Sequence, residues 1–557
     1  MAREPRTRAP RDPPRPHRDP RAPVGTGAAR ARAGNRMSRQ GLGSTMAVSL
    51  VGLQGDIVGV EAQVSDGLPQ FRIVGLPDTT LAEARDRVRA AIQSTGLTWA
   101  LRRITVGLTP AELPKSGSIF DLAIAVAVLR AQGSLPGGGE HVHLGELGLD
   151  GALHPVRGIL PAVAAAVARG RPRIVVPAAN RAEAELVPGA RVVGAGHLAE
   201  VVRLHGGRAD DAPAPPVAAA PAPLAPAAPA GGLAGPADLA DVVGQHEARA
   251  ALEIAAAGGH HLFMSGPPGT GKTMLAARLP GLLPDLSEAQ AIEVTGIHSM
   301  SGTFDPARGL LRRPPFEAPH HSATMASIVG GGSGIPRPGS ASRAHLGVLF
   351  LDESPEFAPH VLDSLRQPLE HGELVLQRSY ASARYPARFQ LVLAANPCPC
   401  GKGSGKGIDC TCSAQVRRRY ENRLSGPLLD RVDIRVTVGR ITRVEAARAG
   451  EDTATVAARV RRARHRQRER LAGTPWGTNG EVPGPWLRER TGQVAPDCLR
   501  LLERQLDQGR LSLRGIDRVL RLAWTVADLA GAERPRVDHL GTALVLRSGG
   551  EHDPARI

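Results

Sequence analysis

Aromatic residues, cysteines and long apolar runs are all scarce in this chain of 557 residues. Five cysteines in so long a sequence argue against a scaffold stabilised by disulfide bonds. No run of about 18 or more apolar residues occurs, which excludes an ordinary transmembrane helix and argues against a membrane partner. The N-terminus also lacks the apolar central region of a secretory signal, so we expect a cytoplasmic protein.

Positive charge is abundant and unevenly distributed. Residues 1–45 contain 11 arginines and 3 acidic residues, so half of the formal net charge of +16 lies in this short segment. The segment is rich in arginine and proline and has no apolar periodicity. We expect either a disordered basic arm or sequence upstream of the true start, at Met37 or Met46. The excess of positive charge in the rest of the chain permits nucleic-acid binding without requiring it.

The length predicts three to four domains, and composition suggests their boundaries. Residues 46–206 alternate strand and helix patterns, which predicts an α/β domain. Residues 207–237 are rich in alanine and proline, as in a linker. Residues 238–440 are predicted to form a second α/β domain, and residues 441–557 a helical lid domain. In the first domain we predict a hairpin over 48–64, strands at 71–74, 104–108 and 174–176, and a buried helix over 121–130.

Residues 266–273 read GPPGTGKT and fit the P-loop pattern G-x-x-x-x-G-K-[ST]. An apolar run at 261–264 predicts a buried strand before the motif, and a helical pattern over 272–279 follows it. Glycines let backbone N–H groups surround phosphate oxygens, Lys272 reaches the β- and γ-phosphates, and the Thr273 hydroxyl binds Mg²⁺. The pattern therefore predicts an ATP site that comprises Gly266, Pro267, Pro268, Gly269, Thr270, Gly271, Lys272 and Thr273.

Two later apolar strands end in polar residues that complete a hydrolysis site. Residues 348–353 read VLFLDE, which after a P-loop predicts that Asp352 holds Mg²⁺ and that Glu353 orients and deprotonates the attacking water. Residues 391–396 read LVLAAN and place Asn396 near the γ-phosphate. Acids and asparagine at strand ends also cap ordinary turns, so the order of the motifs along the chain decides the interpretation.

Two further segments resemble parts of AAA+ ATPases. Residues 241–245 resemble the segment that lies against adenine, which implies base contacts from Val243 and Gln245. Residues 428–433 read LLDRVD and match the position of the arginine finger. The match implies that Arg431, or alternatively Arg423, reaches the γ-phosphate of a neighbouring subunit. Such a role requires an oligomer, while the alternative is a surface salt bridge to a neighbouring aspartate.

The C-terminal region contains two basic features. Residues 512–515 resemble a sensor-2 segment, which implies that Arg514, or alternatively Arg518, contacts the γ-phosphate. Residues 456–471 contain seven arginines and one acid, which favours either a nucleic-acid channel or a solvated helix face.

Two segments have a less certain role. The pattern C-x-C-x9-C-x-C formed by Cys398, Cys400, Cys410 and Cys412 fits either a tetrahedral zinc site or free cytosolic thiols. The long segment between Lys272 and Asp352 contains adjacent histidines at 320–321 and three glycines at 330–332. It is interpreted as a substrate-facing insert, or as an ordinary loop.

Part of the first domain resembles Lon-type proteases. Residues 114–117 (PKSG), followed by an apolar helix, resemble the catalytic segment, and residues 145–159 resemble the second conserved segment. Lon enzymes use a Ser–Lys dyad, but Ile119 and Leu160 stand at the two dyad positions, and neither can attack or accept a proton. The resemblance implies a Lon-like fold without protease activity. Ser116 and Ser118 flank the site and leave residual peptidase activity as the alternative.

Over residues 46–530 the motifs together resemble the YifB/ComM family of Mg-chelatase-like AAA+ ATPases. The resemblance rests on GLP at 67–69, VGLPD at 74–78, APHH at 318–321, LRQPLE at 365–370, NPCPCG at 396–401 and SGPLLDR at 425–431. It implies a Lon-like N-domain, an AAA+ core with ATP and Mg²⁺, a C-terminal helical lid and a hexameric ring. Glu317 and Ser354 depart from the residues usual in the family. We expect the change at Glu317 to affect a substrate-facing insert.

The same resemblance implies a DNA helicase that promotes branch migration during recombination or natural transformation. The alternative is a chelatase-type ATPase that remodels a protein partner. No D-x-S-x-S metal motif of a chelatase partner occurs in this chain, although a separate subunit could carry one. The basic body of the chain favours DNA.

Overall fold

The computed structural model describes residues 41–75, 81, 83–136, 139–209, 237–332, 336–377, 382–403, 410–441, 450–490 and 494–549. The sequence predictions for residues 1–40 and for most of the linker lie outside these ranges. No helix within the described ranges is long and apolar enough to cross a membrane.

The first part of the chain is built on a mixed seven-stranded sheet. Its strand order is β3-β4-β2-β1-β5-β8-β9, and β6 and β7 form a separate short hairpin. The strands predicted at 71–74, 104–108 and 174–176 are confirmed within one residue at each end. The predicted hairpin is also confirmed, although its first strand begins at Leu42, six residues before the predicted start. The strands are β1 (Leu42–Val51), β2 (Gln54–Ser65), β3 (Gln70–Val74), β4 (Arg103–Thr109), β5 (Val142–His143), β6 (Glu146–Leu147), β7 (Leu153–His154), β8 (Arg173–Pro177) and β9 (Arg191–Ala195).

A two-residue turn joins β1 to β2, and its first residue is Gly52 with φ of +65°. Glycine adopts this conformation without strain. A Cβ atom at this position would also collide with the carbonyl oxygen of Arg384. The turn therefore packs directly on a strand that belongs to the second half of the chain.

Helices cover this first sheet, and one of them is buried along its whole length. Every residue of α2 is buried, as its nearly continuous apolar sequence predicted. Its one acid, Asp121, receives a 2.7 Å hydrogen bond from Arg87. Burial raises the pKa of Asp121 to about 6, against the opposing effect of the arginine. The helices are α1 (Ala84–Ser94), α2 (Asp121–Ala131), α3 (Ile159–Ala168), α4 (Arg181–Ala184) and α5 (Leu198–Leu204).

The second half of the chain contains a five-stranded, wholly parallel sheet with the order β11-β14-β17-β10-β18. The strands β14 and β17 are buried at every position, as their apolar runs predicted. Two hairpins, β12–β13 and β15–β16, lie outside the sheet. The strands are β10 (Leu262–Ser265), β11 (Phe316–Glu317), β12 (Gly330–Gly331), β13 (Arg337–Pro338), β14 (Val348–Leu351), β15 (Glu373–Gln377), β16 (Ser382–Pro386), β17 (Gln390–Ala395) and β18 (Ile434–Thr437).

Short helices connect these strands. The helical pattern predicted over 272–279 was wrong at its end, because α7 stops at Ala276. Pro280 has no N–H to donate to the Ala276 carbonyl, so the helix cannot continue unbroken. The helices are α6 (His246–Gly258), α7 (Lys272–Ala276), α8 (Leu279–Leu282), α9 (Glu288–Ser301), α10 (Met325–Val329), α11 (Ser340–Arg343), α12 (Pro359–Ser364), α13 (Arg366–His371), α14 (Ala414–Glu421) and α15 (Gly426–Leu429).

The described residues from 450 onward contain helices and no strand. Apolar residues of α16 and α19 share one core with α6 and with the strands β10 and β18. These helices therefore pack directly on the parallel sheet. They are α16 (Thr453–Arg470), α17 (Gly484–Glu489), α18 (Pro496–Asp507), α19 (Leu513–Ala530) and α20 (Val537–Ser548).

A buried polar network joins the last helices to the sheet. The imidazole of His260 lies 3.3 Å from Asp433 and 2.8 Å from the Thr525 hydroxyl, through its two ring nitrogens. Arg518 donates to the other oxygen of Asp433 at 2.9 Å. Burial alone would raise the pKa of Asp433, but the bond from His260 and the nearby positive charges hold that pKa far below its usual value.

Candidate nucleotide-binding site

The P-loop lies between β10 and α7, at the carboxyl edge of the parallel sheet. Its first amide, Gly266 N–H, donates to the Ala395 carbonyl at the end of β17. A Cβ atom on Gly266 would collide with the Val438 carbonyl oxygen, and Gly269 and Gly271 have φ values of +75° and +92°. Only glycine fits these three positions without strain, and such a glycine turn lets backbone N–H groups approach a phosphate without obstruction by side chains.

Lys272 opens α7 and lies almost fully buried beneath this turn. Its ammonium donates to the carbonyls of Gly266 and Pro267 at 2.7 and 2.9 Å, and to Asn396 Oδ1 at 3.2 Å. Burial lowers the pKa of Lys272, while the carboxylates of Asp352 and Glu353 oppose that shift. The structure thus brings the predicted phosphate-binding lysine and the predicted sensor asparagine into direct contact.

The predicted magnesium ligands are also brought together. Thr273 Oγ1 donates to Asp352 Oδ2 at 2.6 Å, and the second carboxylate oxygen accepts from the Glu353 N–H at 2.8 Å. A hydroxyl from the start of α7 and a carboxylate that follows β14 are oxygen ligands of the type that Mg²⁺ prefers. The residues present therefore fit a magnesium ion at this edge of the sheet.

Glu353 follows β14 in a left-handed conformation, with φ of +48°. This conformation is uncommon for a residue with a side chain and is often found at functional sites. Its neighbour Ser354 is buried and donates to the Ala394 carbonyl at 2.9 Å, which ties the end of β14 to β17. Serine at this position thus fixes the two strand ends that carry Glu353 and Asn396.

His321 is a site residue that the sequence did not identify. Its Nδ1 lies 3.2 Å from Glu353 Oε2, and its ring lies 4.0 Å from the ring of His320, centroid to centroid. From sequence, the segment that contains both histidines is interpreted as a substrate-facing insert or an ordinary loop. The structure places His321 against the predicted catalytic carboxylate instead.

Glu317, which departs from the residue usual in the family, is held by an ion pair. It lies in β11, at the edge of the parallel sheet, and receives two hydrogen bonds from Arg343 at 2.9 and 3.1 Å. Its carboxylate is thus committed to an ion pair within the chain, and an effect of this residue on a substrate-facing insert stays a prediction.

The residues predicted to contact adenine lie beside the P-loop. Gln245 has φ of +54°, and its side-chain amide donates to the Thr270 carbonyl at 3.3 Å and to the Gly439 carbonyl at 2.7 Å. It links the P-loop to the residues that follow β18. Val243 is 43% exposed, so its apolar side chain remains accessible to a base.

The predicted arginine finger and sensor-2 residue lie together at a different place. Arg431 forms an ion pair with Glu370 and donates to the Pro427 carbonyl at 2.6 Å. Arg514 is 83% exposed and lies 3.8 Å from Asp430. Burial and then the positive charges of nearby arginines, Arg514 among them, lower the pKa of Arg431. Such mutual repulsion makes the group receptive to an added anion.

The two alternative arginines have internal partners. Arg423 donates to Glu356 at 2.8 Å and to the Pro355 carbonyl at 3.2 Å, on the loop that follows Glu353. Arg518 is committed to Asp433. Among the described contacts of Arg431, Arg514 and Arg518, none reaches the P-loop of the same chain.

The arginines of α16 are mostly engaged within the chain. Arg459 pairs with Glu253 and Glu451, and Arg470 pairs with Asp528 through two hydrogen bonds of 2.6 and 2.7 Å. Arg464 and Arg466 donate to the backbone carbonyls of α6 and α19. The structure therefore favours a packing role for much of this basic helix over a nucleic-acid channel.

The first two of the four predicted zinc ligands, Cys398 and Cys400, closely follow Asn396, which comes directly after β17. The sulfur atoms of Cys398, Cys400, Cys410 and Cys412 all lie within 4.8 Å of one another. Three of their separations are 3.3, 3.7 and 3.7 Å. Cys498, the remaining cysteine, is buried alone in α18.

The Lon-like positions hold no comparable set. Leu160 is fully buried in the core of the first sheet, and Ile119 packs against the same core. Lys115 is buried and donates to the Pro110 carbonyl, while Ser118 donates to Glu146. The serine and the lysine that flank the aligned positions are thus paired with other groups and not with each other.

Comparison with known families assigns most of the chain to one type of protein. Three sequence models of magnesium chelatase match it: the ChlI subunit over residues 238–446, the subunit ChlI of Mg-chelatase over 60–180, and the ChlI C-terminal region over 450–547. They cover part of the first sheet, the whole parallel sheet and nearly all of the C-terminal helices.

Comparison with curated proteins finds relatives of nearly the same length. An uncharacterized protein of Mycobacterium tuberculosis, Rv2897c, is 49% identical over 520 residues, with 91% of this chain and 99% of the relative covered. YifB of Escherichia coli is 41% identical, with 89% and 95% covered. The competence protein ComM of Haemophilus influenzae is 40% identical, with 89% and 96% covered.

Proposed function

The chain belongs to the YifB/ComM family of Mg-chelatase-like AAA+ ATPases, and from that premise we propose that it is a ring-shaped motor that hydrolyses ATP and translocates on DNA. Members of this class use ATP and Mg²⁺ and typically form oligomers. The observation that carries the ATPase part is the continuous chain of contacts from Asn396 through Lys272, and from Thr273 to Asp352 and Glu353.

Each residue of this group has a role that its position supports. The P-loop amides and Lys272 bind the phosphates of ATP, with Asn396 holding the lysine in place. Thr273 and Asp352 hold Mg²⁺, which when bound neutralises charge on the β- and γ-phosphates. Glu353 takes the proton of the attacking water, and its neighbour His321 holds the carboxylate in position or accepts that proton in turn.

The arginine group supports a site shared between subunits. Arg431 and Arg514 lie side by side near Asp430, with no described contact to the P-loop of their own chain. We assign them to the γ-phosphate of the adjacent subunit, where a cation stabilises the charge of the transition state. This assignment requires a closed ring, for which we propose six subunits.

The DNA part of the proposal rests on kinship and charge. The relative named for competence shares almost its whole length with this chain. The β12–β13 and β15–β16 hairpins both lie outside the parallel sheet, in the segment between β11 and β17. We propose that they contact the DNA backbone, since most arginines of α16 are engaged elsewhere. We also propose branch migration as the outcome, and the domain division 46–206, 207–237, 238–440 and 441–557.

The first experiment measures ATP hydrolysis by the full chain alone and with single-stranded, duplex and branched DNA. We expect stimulation by single-stranded or branched DNA, with a salt dependence that reflects several phosphate contacts. Glu353→Gln is the matched control, because it retains nucleotide binding and should lower kcat by about 10²- to 10⁴-fold. Strong hydrolysis that no DNA alters would contradict the translocase and indicate a protein client, as in a chelatase. Stimulation would justify a branch-migration assay with the same pair of proteins.

A further inference from the structure

We propose that Cys398, Cys400, Cys410 and Cys412 bind one zinc ion, and that this ion fixes the loop behind the P-loop. A regular tetrahedron of sulfur atoms at the usual Zn–S distance of about 2.3 Å has edges of about 3.8 Å. Three of the six separations are 3.3, 3.7 and 3.7 Å, close to this value, and all six are within 4.8 Å. The sulfurs already surround the volume of a single ion.

The size of the cluster also limits which metal it takes. All four sulfurs lie within 4.8 Å of one another, which leaves no room for the several irons and sulfides of an iron–sulfur cluster. A mononuclear four-thiolate site selects a soft tetrahedral ion, of which zinc is the common example. Hard ions such as Mg²⁺ are excluded by the ligand type.

Backbone groups around the sulfurs point to the same conclusion. The N–H of Gly403 donates to Cys398, and the N–H of Lys402 donates to Cys400. Hydrogen bonds from backbone N–H groups to ligand sulfurs orient metal ligands and stabilise their negative charge. The tight turn that provides these donors begins with the bond from Gly401 N–H to the Cys398 carbonyl, at 2.9 Å.

The location of the cluster shows what the ion would hold. Cys398 follows Asn396 by two residues, and a Cβ atom on Gly401 would lie 2.6 Å from Pro268 of the P-loop. On the other side, Cys412 directly precedes Ser413, the N-cap of α14, and the Tyr420 hydroxyl of this helix accepts a hydrogen bond from the Asn396 backbone N–H. The ion would therefore connect the segment that follows Asn396 to the segment that leads into α14. It would also hold Gly401 in place against Pro268 of the P-loop.

The metal content of the purified full-length protein tests the first half of the proposal. We expect one zinc ion per chain after dialysis, measured by elemental analysis. The double variant Cys400→Ser/Cys412→Ser should lose it, whereas Cys498→Ala, which removes the isolated cysteine, should keep it. Replacement by Co²⁺ in the wild-type protein should give the absorption bands of a tetrahedral four-thiolate site. A wild-type protein that takes up neither Zn²⁺ nor Co²⁺, or a double variant that keeps its zinc, would overturn the site.

The second half rests on the proposed ATPase activity and needs a separate readout. A displaced Asn396 should lower kcat by about 10- to 100-fold in the double variant, because small shifts at a reacting centre have effects of this size. The KM for ATP should change little, since the glycine turn and Lys272 remain. Loss of zinc with an unchanged kcat would contradict the bracing role. Glu353→Gln should retain one zinc ion, which separates failure of hydrolysis from failure of metal binding.

Discussion

At the two positions that the Lon resemblance aligns with a serine and a lysine, the first sheet region carries Ile119 and Leu160. At the carboxyl edge of the second sheet, Lys272 contacts Asn396, and Asp352 contacts Thr273, the residue that follows Lys272. Both regions combine a sheet with buried helices, so the α/β fold class alone does not separate a reactive region from an unreactive one. What distinguishes them is whether polar side chains converge, since reaction chemistry depends on groups held within hydrogen-bonding distance.

The difference shows that an α/β region can have the packing of a folded domain with or without a set of converging reactive side chains. Leu160 contributes to the apolar core, where a lysine would need to be desolvated and paired. The charged groups that remain nearby have found other partners, as Lys115 has with the Pro110 carbonyl. In the second sheet the same kind of buried lysine, Lys272, faces a glycine turn that leaves space for phosphate. The first region is therefore expected to be structural, and the second reactive.

The largest effect is expected for Arg431→Ala, which tests whether the reactive site extends across a subunit boundary. The change should lower kcat by about 10³- to 10⁵-fold while nucleotide binding is retained, as for other trans-acting arginines. Mixed rings of Arg431→Ala and Glu353→Gln subunits should recover activity at interfaces that combine the two intact halves. Absence of any recovery would place Arg431 in its own subunit's site. Arg423→Ala, whose partner Glu356 is in the same chain, is the control that should not be complemented.

A smaller effect, on stability, is expected for Leu160→Ala. Loss of a fully buried leucine side chain should lower the free energy of unfolding by about 2–5 kcal/mol, measured by urea titration of the first unfolding transition. ATP hydrolysis below that transition should be unchanged. Leu149→Ala, at a position that is 64% exposed, should change stability by no more than about 0.5 kcal/mol. Equal effects of the two changes would mean that Leu160 is not a core residue.

The pH dependence of stability should report a half-buried histidine of the first region, His205. Burial lowers the pKa of His205 to about 4, while an unfolded histidine titrates near 6.5. Between pH 6.5 and 4 the unfolded chain binds a proton at His205 that the folded chain does not. The contribution of His205 to the free energy of unfolding is therefore complete above about pH 6.5 and is lost as the pH falls towards 4. His205→Gln should flatten the dependence of the first transition in that window. An unchanged slope in the variant would show that His205 is not the group responsible.

The smallest effect is expected for the double change Ser116→Ala/Ser118→Ala. Neither serine contacts a lysine among its described partners, so we expect no peptidase activity in the wild type and none to lose. ATP hydrolysis should stay within about twofold of the wild type, because surface changes of this kind are usually near neutral. Hydrolysis of a casein substrate by the wild type that disappears in the variant would reverse the comparison.

Much of the second sheet could be predicted because its signals are local. Apolar runs gave β14 and β17, and the P-loop pattern specifies its own turn through glycines at positions of positive φ. The end of α7 at Ala276, which the helical pattern placed too late, could also have been predicted from Pro280. These features depend on neighbours in sequence, so no knowledge of the tertiary structure is needed.

The contacts that were missed join residues far apart in the chain. The pairing of His321 with Glu353, of Glu317 with Arg343 and of Arg431 with Glu370 depends on how insert and core pack together. No periodicity or spacing encodes such a contact. The cysteine pattern is intermediate, because spacing proposed four ligands and only the fold shows that their sulfurs converge.

The buried network around Asp433 has a consequence for how this chain can change over generations. His260, Arg518 and Thr525 each satisfy a partner that water cannot reach, so replacing one of them leaves an unpaired buried group at a cost of about 1–3 kcal/mol or more. Tolerated substitutions must therefore arrive as compensated sets. The stretches around His260, around Asp433 and within α19 are therefore expected to change together in related sequences. Such coupled changes would indicate that the C-terminal helices pack on the sheet through this network.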